Sequence, residues 1–154
     1  VTNVITDANE RSAARSAITE ILHRYANLAV EEADWAAMAE LFTPDGEFLV
    51  PDGRTFPPTE LHRIVNGHEE PTFVRHHITT IQIDFTSDSN ATADSFFVVF
   101  THLAQPDHWG RWKDSFRRQA DGRWLLTRRQ PVIEGYSPAG WWGTVLIPSL
   151  KARA

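Results

Sequence analysis

From Ser12 the apolar positions recur at steps of three and four. Ile18, Ile21, Leu22, Tyr25, Leu28 and Ala29 fall on one stripe, the mark of an amphipathic helix with one face on a core. Asp7 and Ser12 are its candidate N-caps, because a short polar side chain there accepts a hydrogen bond from an unpaired backbone N–H. Asp34 is placed to cap a second, short helix carrying Trp35, Met38, Leu41 and Phe42. Thr43-Pro44-Asp45-Gly46 predicts a turn, and Glu47 to Val50 a short strand ended by Pro51-Asp52-Gly53. Pro57-Pro58 open a third short helix over Thr59 to Val65, closed by Asn66-Gly67.

After Pro71 the chain changes character, with Val, Ile, Thr and Phe dominant. Phe73 to Phe85 predicts a strand, followed by a hairpin turn at Ser87-Asp88-Ser89-Asn90. Ala91 to Leu103 predicts a second long strand. It is apolar on both faces around Phe96 to Phe100, as a central strand is. Gln105-Pro106-Asp107 turns again, and Trp109–Gln119 and Arg123–Glu134 form a hairpin about Asp121-Gly122. The tail holds Gly135, Pro138, Gly140, Gly143 and Pro148, a composition that wraps instead of forming a long helix. Helices first and antiparallel strands afterwards predict an α+β fold, with helices on one face of a curved sheet. A strongly bent sheet crossed by helices makes a cone whose interior is available as a pocket.

Composition narrows the function classes. With 154 residues, 42% of them hydrophobic, the chain is expected to be one domain over 1–154, with 1–11 an N-terminal arm and 135–154 a tail closing the cavity. There is no cysteine, so disulfides, thiolate metal sites and thiol nucleophiles are excluded. Lys and Arg number 15 against 20 Asp and Glu, a formal charge of −5, which leaves no broad electrostatic footprint for nucleic acid. No apolar run approaches the roughly 20 residues of a membrane helix. Val1 to Arg11 is polar and mixed in charge, unlike a signal peptide, so a cytoplasmic protein is expected. Six tryptophans and seven histidines are left to explain. Trp109, Trp112 and Trp124 alternate with Arg111, Lys113, Arg117, Arg118 and Arg123. Such interleaving can bind single-stranded nucleic acid, but on an acidic chain it reads as sheet core with a charged outer face.

Several catalytic motifs are absent: no G-x-G-x-x-G, no phosphate-binding G-x-x-x-x-G-K-[ST], no G-x-S-x-G and no H-E-x-x-H. His76 and His77 are adjacent on a strand and point to opposite faces, so they cannot share a metal. Nothing in the spacing of His102 and His108 favours a metal site either. What remains is His76, early in a long strand. A histidine in an apolar pocket is a candidate general base, since its unperturbed pKa lies near operating pH. A carboxylate would fix its tautomer, and Glu31, Glu32 and Asp34 are the candidates. Arg128 and Arg129 place one guanidinium on each face of the last strand, one of them a candidate to hold an anion or leaving group. Asp114 shares a face with Trp112 and Phe116, in the cavity or paired with an arginine across the hairpin.

These residues resemble a known family. Ile21-Leu22-His23-Arg24-Tyr25-Ala26, Glu31 four residues before Trp35, and Leu41-Phe42-Thr43-Pro44-Asp45-Gly46 resemble the opening of the SnoaL-like family of the nuclear transport factor 2-like superfamily. The likeness continues through Arg75-His76-His77-Ile78-Thr79-Thr80, Asp114-Ser115-Phe116-Arg117-Arg118, Asp121-Gly122-Arg123-Trp124 and Arg128-Arg129. It spans about residues 12 to 134. The R-H-x-x-T strand is similar to that of scytalone dehydratase and hexachlorocyclohexane dehydrochlorinase, cofactor-free lyases with a cavity histidine oriented by an aspartate. The resemblance puts that histidine at His76, the aspartate at Glu31, and a cavity arginine at Arg129 or Arg128. Tyr136 to Gly140 resembles a pocket-closing tail. The chain departs from the pattern in four places. Glu31 is one methylene longer than aspartate, Val30 replaces a tyrosine, and Ala26 replaces a lysine. A second cavity histidine falls nearest Gly110, with His108 as its stand-in.

The expectation is a cone-shaped α+β barrel housing a lyase or isomerase, dehydratase-like, without cofactor or metal, acting on a small hydrophobic cyclic substrate. His76, Glu31 and Arg129 are the expected catalytic residues. Tyr25, Trp35, Phe48, Val98, His102, His108, Trp112, Asp114, Arg128 and Trp141 are the expected substrate contacts. Neither nucleic acid nor membrane is an expected partner, and a homodimer or higher homo-oligomer is expected. The alternatives are a polyketide cyclase, a non-catalytic small-molecule binding domain, and the structural small subunit of a ring-hydroxylating dioxygenase.

Overall fold

The computed structural model describes residues 4–65 and 69–148. A long helix, α1 (Ala8–Leu28), is capped by Asp7, whose carboxylate accepts from the Glu10 amide at 2.8 Å. Its buried stripe is Ala14, Ile18, Ile21, Leu22 and Tyr25; the periodicity predicts the last four, whereas Leu28 and Ala29 at the helix end are only partly buried. Asp34 caps α2 (Trp35–Ala39) through the Ala37 amide at 2.9 Å. The third helix is a kinked 3-10 segment, Pro58–Ile64. The Asn66-Gly67 stop lies outside the described residues.

The described residues hold six strands: β1 (Phe42–Leu49), β2 (Thr55–Phe56), β3 (Val74–Phe85), β4 (Asn90–Thr101), β5 (His108–Arg118) and β6 (Trp124–Tyr136). They form one sheet in the order β2-β1-β6-β5-β4-β3. Every pairing is antiparallel except β1 with β6. The sequence reads Thr43–Gly46 as a turn. The structure carries β1 through it, with the β1–β6 register slipping between Phe42 and Glu47. Within the described part of the tail, Trp142–Leu146 form a short helical turn.

Strand alternation buries one face under α1. On β4 these are Ala91, Ala93, Ser95, Phe97, Val99 and Thr101, and on β5 His108, Gly110, Trp112, Asp114 and Phe116. Three bulges interrupt the alternation. Thr79 is extra between β3 and β4, Thr127 is extra opposite Ser115/Phe116, and Glu134 is extra opposite Trp109/Gly110. A bulge bends its strand and reverses which residues face inward. Together they curve the sheet around α1. At the Glu134 bulge a Cβ on Gly110 would stand 2.0 Å from the Val132 carbonyl oxygen, so only glycine fits there.

Candidate active site

The curved sheet, α1 and the tail enclose a cavity of about 200 Å³. Its lining is mainly apolar, with aromatic rings from every side: Tyr25 from α1, Phe48 from β1, Phe97 from β4, Trp112 from β5, and Trp141 and Trp142 from the tail. Trp112 sits centrally, with Phe97 stacked at 5.4 Å, Tyr25 edge-on at 5.5 Å and the His76 ring at 5.9 Å. Only a few polar groups reach this surface, two of them the imidazoles of His76 and His108.

His76 points inward from β3, opposite Val99, and His77 points out, exposed, against Phe100. The Ala29 carbonyl, at the end of α1, lies 2.9 Å from His76 Nδ1. A carbonyl only accepts, so Nδ1 carries the proton and Nε2 keeps its lone pair. Burial pushes the His76 pKa down to about 3, with the nearby His108, Arg129 and His77 adding to the effect. The ring is therefore neutral at pH 7.

His108 is buried at the start of β5. Its Nδ1 lies 2.8 Å from Asp107 Oδ1, which again directs Nε2 away from the bond. Asp107 is fully buried. Burial opposes its charge, but hydrogen bonds from His108, Thr101 and the Trp142 and Trp141 amides hold its carboxyl below the ordinary range. Below the aromatic lining, Arg129 makes a bidentate pair with Asp114 at 2.9 and 2.7 Å, both side chains wholly buried. The guanidinium is sandwiched between Tyr25 and Trp112, 4.0 Å from each ring centroid. Burial raises the Tyr25 pKa to about 12, Arg129 opposing it, so the hydroxyl stays protonated.

The family model of the SnoaL-like domain matches residues 10–130. The chain belongs to the SnoaL-like family. No curated protein matches it in sequence. Among solved structures, a scytalone-dehydratase-like protein of Novosphingobium aromaticivorans is 22% identical with a TM-score of 0.69, covering 85% of this chain and 91% of that one. A hexachlorocyclohexane dehydrochlorinase of Novosphingobium barchaimii is 16% identical with a TM-score of 0.71, covering 85% and 93%. A nuclear transport factor 2-like protein with a cystatin-like fold, also from Novosphingobium aromaticivorans, is 24% identical with a TM-score of 0.64, covering 88% and 96%. These likenesses extend to the fold: an α+β architecture with a six-stranded curved sheet.

Within this SnoaL-like domain the expected site residues divide sharply. Tyr25, Trp35, Phe48, His76, His108, Trp112 and Trp141 line the cavity together. Glu31 lies at the same cavity but does not hold His76. Its carboxylate takes Arg75 Nη1 at 2.5 Å and the Val74 amide at 3.3 Å, which lowers its pKa to about 2. Arg75 is the nearer and permanent charge, so it captures the carboxylate, and the helix-end carbonyl takes the imidazole. Arg129 and Asp114 face inward and pair with each other beneath the lining through Arg129 Nε and Nη2, Nη1 having no hydrogen-bond partner, and neither is part of the cavity surface. Arg128 faces outward, half-exposed, 3.2 Å from Glu47. Val98 is one residue out of phase with Phe97 and lies on the outer face with Phe96 and Phe100. His102 is exposed beyond the end of β4. Asp107 was not among the expected residues. Its only sequence signal is the Asp-His dipeptide after Gln105-Pro106, which reads locally as a turn.

Among the described residues no group of three His, Asp or Glu stands together as a metal site. No described helix is long and apolar enough to cross a membrane.

Proposed function

We propose that this domain is a cofactor-independent lyase or isomerase, dehydratase-like, acting on a small hydrophobic cyclic substrate. The observation that carries the reading is the pair of imidazoles on one apolar cavity, each bound at Nδ1 from behind, by Ala29 and by Asp107. Each ring thereby has a defined Nε2 for proton transfer. The cavity exceeds the roughly 150 Å³ that admits benzene, which suits one substituted ring or two fused ones.

In this mechanism His76 Nε2 takes a proton from a carbon next to a carbonyl. The C–H electron pair becomes a new double bond, and a group on the neighbouring carbon leaves with its own electron pair. For isomerisation the proton returns at another carbon. His108 Nε2 exchanges a proton with the carbonyl or leaving-group oxygen while Asp107 holds its Nδ1. The low pKa of His76 keeps it in the base form. Its proton affinity rises as negative charge develops on a substrate beside it. Water excluded by the aromatic lining strengthens these interactions. Glu31 contributes at one remove: by gripping Arg75 and the Val74 amide it fixes the loop that begins at Ala29.

The same low basicity favours a second reading, a non-catalytic binding domain in which His76 is a hydrogen-bonding anchor. Ring ketones bearing a β-hydroxyl or β-chloro group separate the two. Proton loss is followed by exchange of the α-carbon proton with deuterated solvent and by release of water or chloride. Wild type is expected to catalyse both, and His76→Ala to lower the rate by about 10²–10⁴-fold, the usual worth of a general base. Full turnover by His76→Ala on a substrate so identified would falsify the mechanism. Tight binding of these ketones without exchange would establish the second reading.

A further inference from the structure

Asp107 has more partners than an imidazole needs. Its Oδ1 accepts from His108 Nδ1 at 2.8 Å and from the Trp142 amide at 3.1 Å. Its Oδ2 accepts from the Thr101 hydroxyl at 2.8 Å and from the Trp141 amide at 2.5 Å. Two of the four donors thus belong to the tail over the cavity, one to the cavity imidazole and one to the end of β4. The Asp107 carbonyl also accepts from the Ser137 amide at 2.7 Å. Packing reinforces these bonds. The Trp142 ring lies 4.5 Å from the His108 ring. A Cβ on Gly140 would stand 2.5 Å from Asp107 Oδ2, so the tail backbone rests against the carboxylate itself.

A carboxylate offers about four lone-pair sites, and here all are used. Its rotamer is set by donors on three separate segments at once. With the tail docked, the amides of Trp141 and Trp142 leave Oδ1 placed to receive the His108 Nδ1 proton. With the tail undocked both amides are withdrawn, and a carboxylate opened to water no longer constrains one tautomer of the ring. From this geometry we infer that Asp107 is a positioning residue that couples closure of the tail to the orientation and tautomer of His108. The inference rests on the reading of this cavity as an acid/base site. Its consequence is that the second imidazole is set for proton transfer only while the cavity is covered and dry.

The test uses the full chain labelled with ¹⁵N-histidine and ¹⁵N-tryptophan. Wild type is expected to show His108 as the Nδ1–H tautomer, with slow hydrogen exchange at the Trp141 and Trp142 amides. Gly140→Ala alters the tail without altering His108. The added methyl must displace either the carboxylate or the tail. It is expected to speed exchange at both amides at least tenfold and to move His108 into a mixture of tautomers. Asp107→Asn replaces one acceptor with a donor and is expected to shift both signals further. Turnover in each variant should fall through kcat more than through KM. Faster exchange with an unchanged His108, a changed His108 with unchanged exchange, or no change in either for Gly140→Ala overturns the coupling. Should Gly140→Ala fail to fold, the same comparison on Asp107→Asn decides, and movement of only one signal overturns the inference. None of these signals requires turnover. If both move while the rate on an identified substrate is unaffected, the acid/base reading fails and the coupling stands.

Discussion

Histidine is the side chain whose charge changes closest to neutral pH, and the two cavity histidines are held differently. His76 leans on a backbone carbonyl and is neutral, with a folded pKa of about 3 against an ordinary value of 6.5. Between those values the unfolded chain binds a proton that the folded chain does not. The stability tied to His76 is therefore complete above about pH 6.5 and is lost as pH falls toward 3. Glu31, held at about 2 by Arg75, loses its contribution only below its ordinary value of 4.5. Between pH 6.5 and 4.5 the contribution of His76 therefore changes while that of Glu31 does not. Urea midpoints for His76→Gln should fall less steeply across that window than those of wild type. The buried Arg129–Asp114 pair makes a second prediction. Arg129→Met alone strands a carboxylate in an apolar setting and should cost about 3–5 kcal/mol. The double variant Arg129→Met, Asp114→Leu should recover much of that loss, measured as denaturant midpoints. That Asp114 pairs with an arginine across the hairpin was one of two readings the sequence allowed. That Arg129 and not Arg128 is the partner was not legible, because the Thr127 bulge reverses the alternation between Leu126 and Arg129.

The helices and strands were legible because each declares itself within a short window. The α1 stripe, the Asp34 cap and the turns around Asp88 and Asp121 need no distant partner. Bulges carry no such local signal. They exist only as a mismatch of count between two paired strands, and their sole trace here is Gly110. Gly110→Ala should therefore be costly: the added carbon meets the Val132 backbone oxygen, not a flexible side chain. A loss of about 2 kcal/mol or more is expected, seen as a fall in Tm of roughly 4–8 °C for a chain this long. A Tm within one degree of wild type would show that β5 and β6 slide past the contact. Val98 illustrates the same limit. Strand β4 is apolar on both faces, so hydrophobicity alone does not tell Phe97 from its neighbours, and burial assigns Phe97 to the cavity.

At the scale of the whole molecule the cavity is a product of closure. Residues from α1, five strands and the tail, more than a hundred positions apart in the chain, share one surface. An aromatic lining of that size should bind a two-ring phenol such as naphthol and quench tryptophan fluorescence. Phe48→Trp, which fills the cavity from β1, should weaken that binding at least tenfold while leaving Tm unchanged or raised. Unaltered naphthol affinity in Phe48→Trp would place the binding elsewhere on the molecule.

The residues by themselves determined the α+β class, the family, the inward direction of His76 and the outward direction of His77, since periodicity and motif spacing are local properties. Only the tertiary structure decided which groups support the imidazoles. Glu31 was nearest in the motif, but Arg75 is a stronger partner for a carboxylate than a neutral ring, so the Ala29 carbonyl serves His76. Asp107 looked like a turn residue, but burial beneath a returning tail makes it the partner of His108. Hydrogen bonds follow distance and charge in space, and the folded chain brings together competitors that the sequence keeps apart.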